Sequence, residues 1–214
     1  MEITAIRKQK NRSNQVMVCL DGDHQVVLST EVVTRSGLRR GISIAEDQLA
    51  SLVSEDREIR AREAALRLLE RRAQSRVGVR RSLARKGFEP EVVEACITRL
   101  DNAGLLDDRS YAVQFVTERS RSRPRGVMGL EAELIARGID ADTAEAAITE
   151  VLAATGASEL DLAAIAARKF RRRAGEAPLA TRRRLQGFLA RRGFSAETVR
   201  SFLSLRAAGG PASA

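Results

Sequence analysis

Apolar and polar residues alternate along the start of the chain and then change period. From Ile3 to Lys8 the alternation has the two-residue repeat of a half-buried strand. Val16-Met17-Val18-Cys19-Leu20 and Gln25-Val26-Val27-Leu28 are two further short apolar runs. Between them, Asp21-Gly22-Asp23-His24 contains the Asp-Gly pair that supplies the positive φ values of a tight hairpin turn. Gly37 and Gly41 bracket a second turn, and helix is predicted from Glu46 onward. From about Ile59 the apolar positions follow a period of 3.6. Ala61, Ala64, Ala65, Leu68 and Leu69 keep the i, i+3, i+4, i+7, i+8 spacing of an amphipathic helix. Tyr111, Ala112, Phe115 and Val116 repeat the pattern, and so do Leu162, Ile165, Ala166 and Phe170.

The helical region repeats itself. Leu83-Ala84-Arg85-Lys86-Gly87-Phe88, Leu134-Ile135-Ala136-Arg137-Gly138-Ile139 and Leu189-Ala190-Arg191-Arg192-Gly193-Phe194 share one pattern: Leu, spacer residues, a cation, Gly, then a large apolar residue. The glycines lie 51 and 55 residues apart. Each stands where a helix ends in the left-handed conformation that glycine reaches at least cost. The preceding cation suits the negative end of the helix dipole. Glu89, Asp140 and Ser195 follow as candidate caps of the next helix, and Pro90 fits its first turn. The unit is therefore two helices, a Gly turn and a third helix. A unit of about 50 residues buries little surface alone, so neighbouring units are expected to stack. The expected fold is mainly α: three tandem three-helix repeats (57–106, 107–157, 158–208) forming an elongated curved body. A small antiparallel β region with a short helix (1–56) precedes them, and a flexible tail (209–214) follows.

Charge adds a partner class. The 214 residues carry a net +9, distributed as −1 over 1–56, +5 over 57–106, −3 over 107–157 and +8 over 158–214, where 12 cations face 4 carboxylates. Two basic blocks flanking an acidic one raise the encounter rate with polyanions and acidic surfaces. No apolar run approaches the roughly 18 residues of a membrane span. No charged n-region with an apolar stretch opens the chain, and the expected location is the cytoplasm. Cys19 and Cys96 lie in apolar contexts and are read as small buried, reduced side chains.

Catalytic chemistry is not assembled in the sequence. His24 is the one histidine and falls in the predicted hairpin. There is no phosphate loop of the G-x-x-x-x-G-K-[ST] type, no zinc spacing and no nucleophile–base set. The chain is therefore read as non-enzymatic, without cofactor or metal. Asp107-Asp108 precedes a predicted helix and is read as its cap. Aromatic residues make up 3% of the chain. Phe88, Phe115, Phe194 and Phe202 fall on apolar faces, and the arginine clusters are read as lacking interleaved rings of the kind that stack bases. Arginine pairs with phosphate and carboxylate alike, so charge leaves DNA and an acidic protein equally open as partners.

These motifs, taken in order, resemble the RecX family. The resemblance rests on Ala65-Leu66-Arg67-Leu68-Leu69, Arg72 through Ser75, Leu83 through Phe88, Gly104-Leu105-Leu106-Asp107-Asp108, Tyr111-Ala112, Gly126 and Glu133 through Ile139. Leu20-Asp21-Gly22 and Gly37 through Gly41 are similar to the N-terminal extension of many members. Two departures stand out: Gly78-Val79 replaces the usual Glu-Leu pair, and Leu105 replaces the usual Tyr. The resemblance implies three three-helix repeats lying along the groove of the RecA recombinase filament on DNA, and the protein is expected to be a monomer. The resemblance also implies inhibition of RecA's ATP hydrolysis and strand exchange, with damping of the SOS response. Charge clustering nominates Arg171, Arg172, Arg173, Arg182, Arg183, Arg184, Arg191 and Arg192 as the contact residues. Arg76, Arg80, Arg81, Arg85 and Lys86 are the second set. DNA, single- or double-stranded and contacted without sequence preference, is the second expected partner. An autonomous DNA-binding helical module is the alternative reading, and a scaffold for another acidic protein a third.

Overall fold

A computed structural model of the chain describes residues 1–8, 14–21 and 24–207. The predicted strands are present as β1 (Ile3–Lys8), β2 (Gln15–Leu20) and β3 (Gln25–Ser29). They form an antiparallel sheet in the order β1-β2-β3, with Val18 opposite Ile6 on one side and Val26 on the other. Gly22 and Asp23 of the predicted hairpin turn, and the tail 209–214, lie outside the described residues. The two-residue period buries Val16, Val18, Leu20 and Leu28 on one face, together with Ile3. Against them pack Val32 and Val33 of a short helix α1 (Thr30–Arg35), and Leu49 and Ile59 of α2 (Glu46–Arg71). The same period puts Cys19 on the other face, where it is only half-buried. The expectation of two buried thiols thus fails for Cys19, while Cys96 is buried.

The remaining helices are α3 (Arg76–Arg85), α4 (Pro90–Asn102), α5 (Asp108–Ser122), α6 (Val127–Ile135), α7 (Ala141–Thr155), α8 (Glu159–Ala167), α9 (Pro178–Ala190) and α10 (Ala196–Ala207). The fold is mainly helical, with three three-helix domains, α2–α4, α5–α7 and α8–α10. The first helix, α2, is 26 residues long and passes positions 56 and 57 without a break. Between the second and third helix of each domain lies the repeated turn. Gly87, Gly138 and Gly193 have φ of 84°, 85° and 75°. The amides of Phe88, Ile139 and Phe194 reach back to the carbonyls of Leu83, Leu134 and Leu189. This is the bond pattern of a Schellman cap, in which the apolar residue after the glycine folds back on the helix it leaves. Asp140 and Ser195 cap α7 and α10 through the amides of Thr143 and Thr198. Glu89 does not cap α4: its carboxylate is 3.0 Å from Arg57 instead.

The chain divides into two compact units. The first holds residues 1–73 and 79–105: the sheet, α1, α2, most of α3, and α4. In it, Asp56 on α2 is buried and accepts the amide of Ser29 at the end of β3, with Arg60 at 3.6 Å. A carboxylate without such partners is costly to bury.

The second unit holds residues 74–78 and those from 106 onward, so it takes the first turn of α3 along with α5 to α10. Its two cores are drawn from the periodic apolar positions. Ala112, Val116, Leu130, Leu134 and Ile148 form one; Leu162, Ala166, Leu185, Leu189 and Phe202 form the other. Two junctions of one design occur within this unit. At the first, Ser75 Oγ donates to the Arg137 carbonyl at 2.7 Å, and Val77 fills the space where a Cβ on Gly138 would sit. Asp108 accepts the amide of Arg76 at 2.9 Å and its guanidinium at 3.2 Å. At the second, the Gly126 amide donates to the Arg192 carbonyl at 3.1 Å. Glu159 accepts the amide of Val127 at 2.9 Å, spanning 32 residues as Asp108 and Arg76 do. A carboxylate opening the first helix of one domain thus satisfies the open N-terminus of the second helix of the domain before it.

Candidate functional site

The second junction sets the geometry of the candidate site. A Cβ on Gly126 would lie 2.2 Å from the Gly193 carbonyl oxygen, and one on Gly129 at 2.2 Å from that of Arg192. Only glycine lets the start of α6 press on the turn after α9 at this distance. The approach brings Arg125, just before α6, beside Arg192 at the end of α9. Burial first, then the charges of Arg125 and Arg191, push the Arg192 pKa down.

Two concave regions open here, both within the second unit. One, of about 420 Å³, is lined by Arg119, Arg123, Arg125, Lys169, Arg191 and Arg192. The other, of about 560 Å³, is lined by Lys169, Phe170, Arg171, Arg183, Arg184, Gly187, Phe188 and Arg191. Lys169 and Arg191 line both, so the two make one basic trough. Carboxylates are few. Glu133 holds Arg119 (Nε at 2.8 Å), Arg125 and, at 3.8 Å, Arg137. Glu176 pairs with Arg184. Among the described residues, Arg123, Lys169, Arg171, Arg183, Arg191 and Arg192 form no ion pair. The Lys169 ammonium donates to the Ser122 carbonyl.

Two rings lie in the trough, which corrects the expectation of arginine clusters without them. Phe170 and Phe188 meet edge to face, with centroids 5.4 Å apart. The Arg192 guanidinium carbon is 3.8 Å from the Phe188 centroid, and that of Arg184 is 5.0 Å from Phe170. Such stacking holds a guanidinium plane in place and leaves its outer face free for an oxyanion or a base. Of the other rings, Phe194 and Phe202 are buried in the core, whereas Phe115 is half-buried beneath Arg137 and Arg119. Phe88 is half-buried beside Lys86 in a recess of the first unit, which Arg60 and Arg67 also line.

The nominated residues separate accordingly. Arg171, Arg183, Arg184, Arg191 and Arg192 line the trough. Arg172 and Arg173 are exposed on the same loop, and Arg182 is exposed on α9. In the second set, Arg76 is held by Asp108, and Arg80 is paired with Glu94 through two nitrogens at 2.5 and 2.8 Å. Arg81, Arg85 and Lys86 are exposed, with Arg85 donating to the Arg81 carbonyl. Sequence reading missed Arg119, Arg123, Arg125 and Lys169, and the two rings. The four-residue spacing of Arg184 and Phe188 puts them on one face of α9, with Arg192 four residues on just past its end, and was a usable signal. The arginines of α5 gave none, since they sit in the block of net −3. Asp107 accepts the amides of Arg109 and Ser110, as expected for a cap, while its neighbour Asp108 serves the junction. Among the described residues no group of three or more His, Cys, Asp or Glu side chains could hold a metal ion, and no helix is long and apolar enough to cross a membrane.

Residues 61–100, 107–148 and 159–203 match the family descriptions "RecX, first three-helix domain", "RecX, second three-helix domain" and "RecX, third three-helix domain". A regulatory protein RecX from Chlorobium phaeobacteroides is 38% identical over 139 residues, covering 65% of this chain and 88% of that protein. One from Thermobifida fusca is 38% identical over 150 residues, covering 68% and 78%. Among solved structures, a crystal structure of regulatory protein RecX superposes with a TM-score of 0.66 at 23% identity, covering 95% of this chain and 98% of that one. The RecX of Lactobacillus salivarius does so with 0.59 at 20%, covering 70% and 96%. These two likenesses bear on the fold alone.

Proposed function

The chain belongs to the RecX family, and from that premise we propose that it is a regulator of the RecA recombinase that binds the RecA–DNA filament. Bound there, it inhibits RecA's ATP hydrolysis and strand exchange. The observation that carries the proposal is the continuous basic trough with six cations free of ion pairs. A polyanion flanked by acidic protein surface meets such a trough with complementary charge, which speeds encounter and sets orientation. Arg171, Arg183, Arg191 and Arg192 are the contact residues of this reading, now joined by Arg123 and Lys169. Arg172, Arg173 and Arg182 add to the field at its rim.

The test is RecA's DNA-dependent ATP hydrolysis, with single-stranded DNA saturating and this protein added far below one copy per RecA. The expected result is strong inhibition at that ratio, where competition for bare DNA has no effect. Arg171, Arg183 and Arg191 changed together to Glu should weaken it strongly and flatten its salt dependence. Inhibition only when the protein exceeds the DNA sites would overturn the reading in favour of an autonomous DNA-binding module.

A further inference from the structure

Within the trough the smaller recess differs from a merely charged surface. Its six cations come from three places in the chain: Arg119, Arg123 and Arg125 around the end of α5, Lys169 after α8, and Arg191 and Arg192 closing α9. Several are held in place rather than waving in solvent. Glu133, with its side chain only 14% exposed, orients Arg119 and Arg125. Phe188 backs the guanidinium of Arg192, and the Ser122 carbonyl anchors Lys169. Among the described residues Glu133 is the one carboxylate paired with this set, and it is shared with Arg137 outside the recess. The backbone approach at Gly126 and Gly129 forces Arg125 and Arg192 together despite their like charge. An anion with several charged oxygens relieves that repulsion and takes up the fork-shaped donors two at a time. A single carboxylate offers too few oxygens for three fixed guanidinium groups.

We propose that this recess is a discrete oxyanion seat for clustered phosphate, the diphosphate spacing in particular. The proposal deepens the reading of the trough given above, and its test contains no RecA, so its failure and that of the filament reading are separate results. The ligand chemistry has two sources, consecutive phosphates of a bent strand or a free phosphate compound. The experiment is calorimetric titration of the full chain with pyrophosphate at fixed ionic strength. Saturable binding of one equivalent is expected. Arg192→Gln should weaken it on the order of tenfold, the loss of one charged hydrogen-bond partner. Arg200→Gln, an equal charge change on the exposed surface of α10, should leave it unchanged. Glu133→Gln distinguishes a built seat from a diffuse field by sign. It raises the net charge, so a field binds pyrophosphate more tightly, whereas a seat that has lost the orientation of Arg119 and Arg125 binds it severalfold more weakly. Arg123→Gln, at an exposed position with no ion pair to lose among the described residues, repeats the test if Arg192→Gln misfolds. No saturable binding, equal losses for Arg192→Gln and Arg200→Gln, or tighter binding by Glu133→Gln would each overturn the proposal. Competition with an oligothymidylate then separates the sources. Displacement of the oligonucleotide by pyrophosphate identifies a strand phosphate, and simultaneous binding identifies a free phosphate compound; either outcome supports the seat.

Discussion

Glu159 accepts four hydrogen bonds: from the Val127 amide, the Ser195 amide and hydroxyl, and the Thr198 hydroxyl. Burial alone pushes its carboxyl up, but the bonds from Thr198, Val127 and Ser195 together hold it below the usual carboxylate range. A carboxyl whose pKa is lower folded than unfolded favours the folded state above the unfolded value, near 4.3, and loses that contribution as pH falls through the folded value. Glu159→Gln is therefore expected to destabilise the protein by about 1.5–3 kcal/mol at pH 7. The gap between variant and parent should close as the pH drops below 4. Urea unfolding at a series of pH values checks this, and a gap that stays constant with pH would refute it. Nothing in the sequence marks Glu159 apart from other acids in first turns. Its partners lie 32 to 39 residues away.

Between elements, the decisive contacts are of backbone on backbone. Gly129 lies within α6, where a glycine costs about 1 kcal/mol against alanine, yet there is no room for a methyl group beside the Arg192 carbonyl. Gly129→Ala is expected to lower the unfolding temperature, the overpacking outweighing the helical gain by roughly 1–3 kcal/mol. Gly78, at the equivalent place in α3, would set its Cβ at 3.1 and 3.2 Å from the side chains of Gln74 and Ser75. The nearer of these is flexible, so Gly78→Ala should cost less than Gly129→Ala. A pair of thermal melts settles the order. The first junction is made by Ser75, Arg76 and Val77, and nothing in the structure explains why Gly78 replaces the usual Glu. In the third repeat the same distances from the turn glycine as those of Arg76 and Gly78 fall on Arg182 and Arg184.

For the molecule as a whole, the boundary between units falls inside α3, after its first turn. The reason is the first junction: Ser75, Arg76 and Val77 bond to and pack on Arg137, Gly138 and Asp108. A fragment beginning at Gln74 is therefore expected to melt higher than one beginning at Leu106, which leaves the Gly138 turn uncovered and Asp108 without its partner. Equal melting temperatures would show the junction to be energetically idle.

The chain's local chemistry was enough to reveal the strands, the helices, the threefold repeat and its glycine turns. Hydrophobic period and left-handed glycine caps act between residues a few positions apart, and that information is written consecutively. Arg171, Arg183, Arg184, Arg191 and Arg192 were visible for the same reason, as runs of like charge. The trough itself was not. Arg119, Arg123 and Arg125 belong to a segment of net negative charge and meet Arg191 and Arg192 only because Gly126 and Gly129 admit a close crossing of two backbones. Which acids neutralise which arginines was equally hidden: Glu133 takes three and Glu176 one, while among the described residues Arg123, Arg171, Arg183, Arg191 and Arg192 of the trough form no ion pair. Pairing of charges depends on distances of a few ångströms between residues far apart in the chain, and those distances are set by packing.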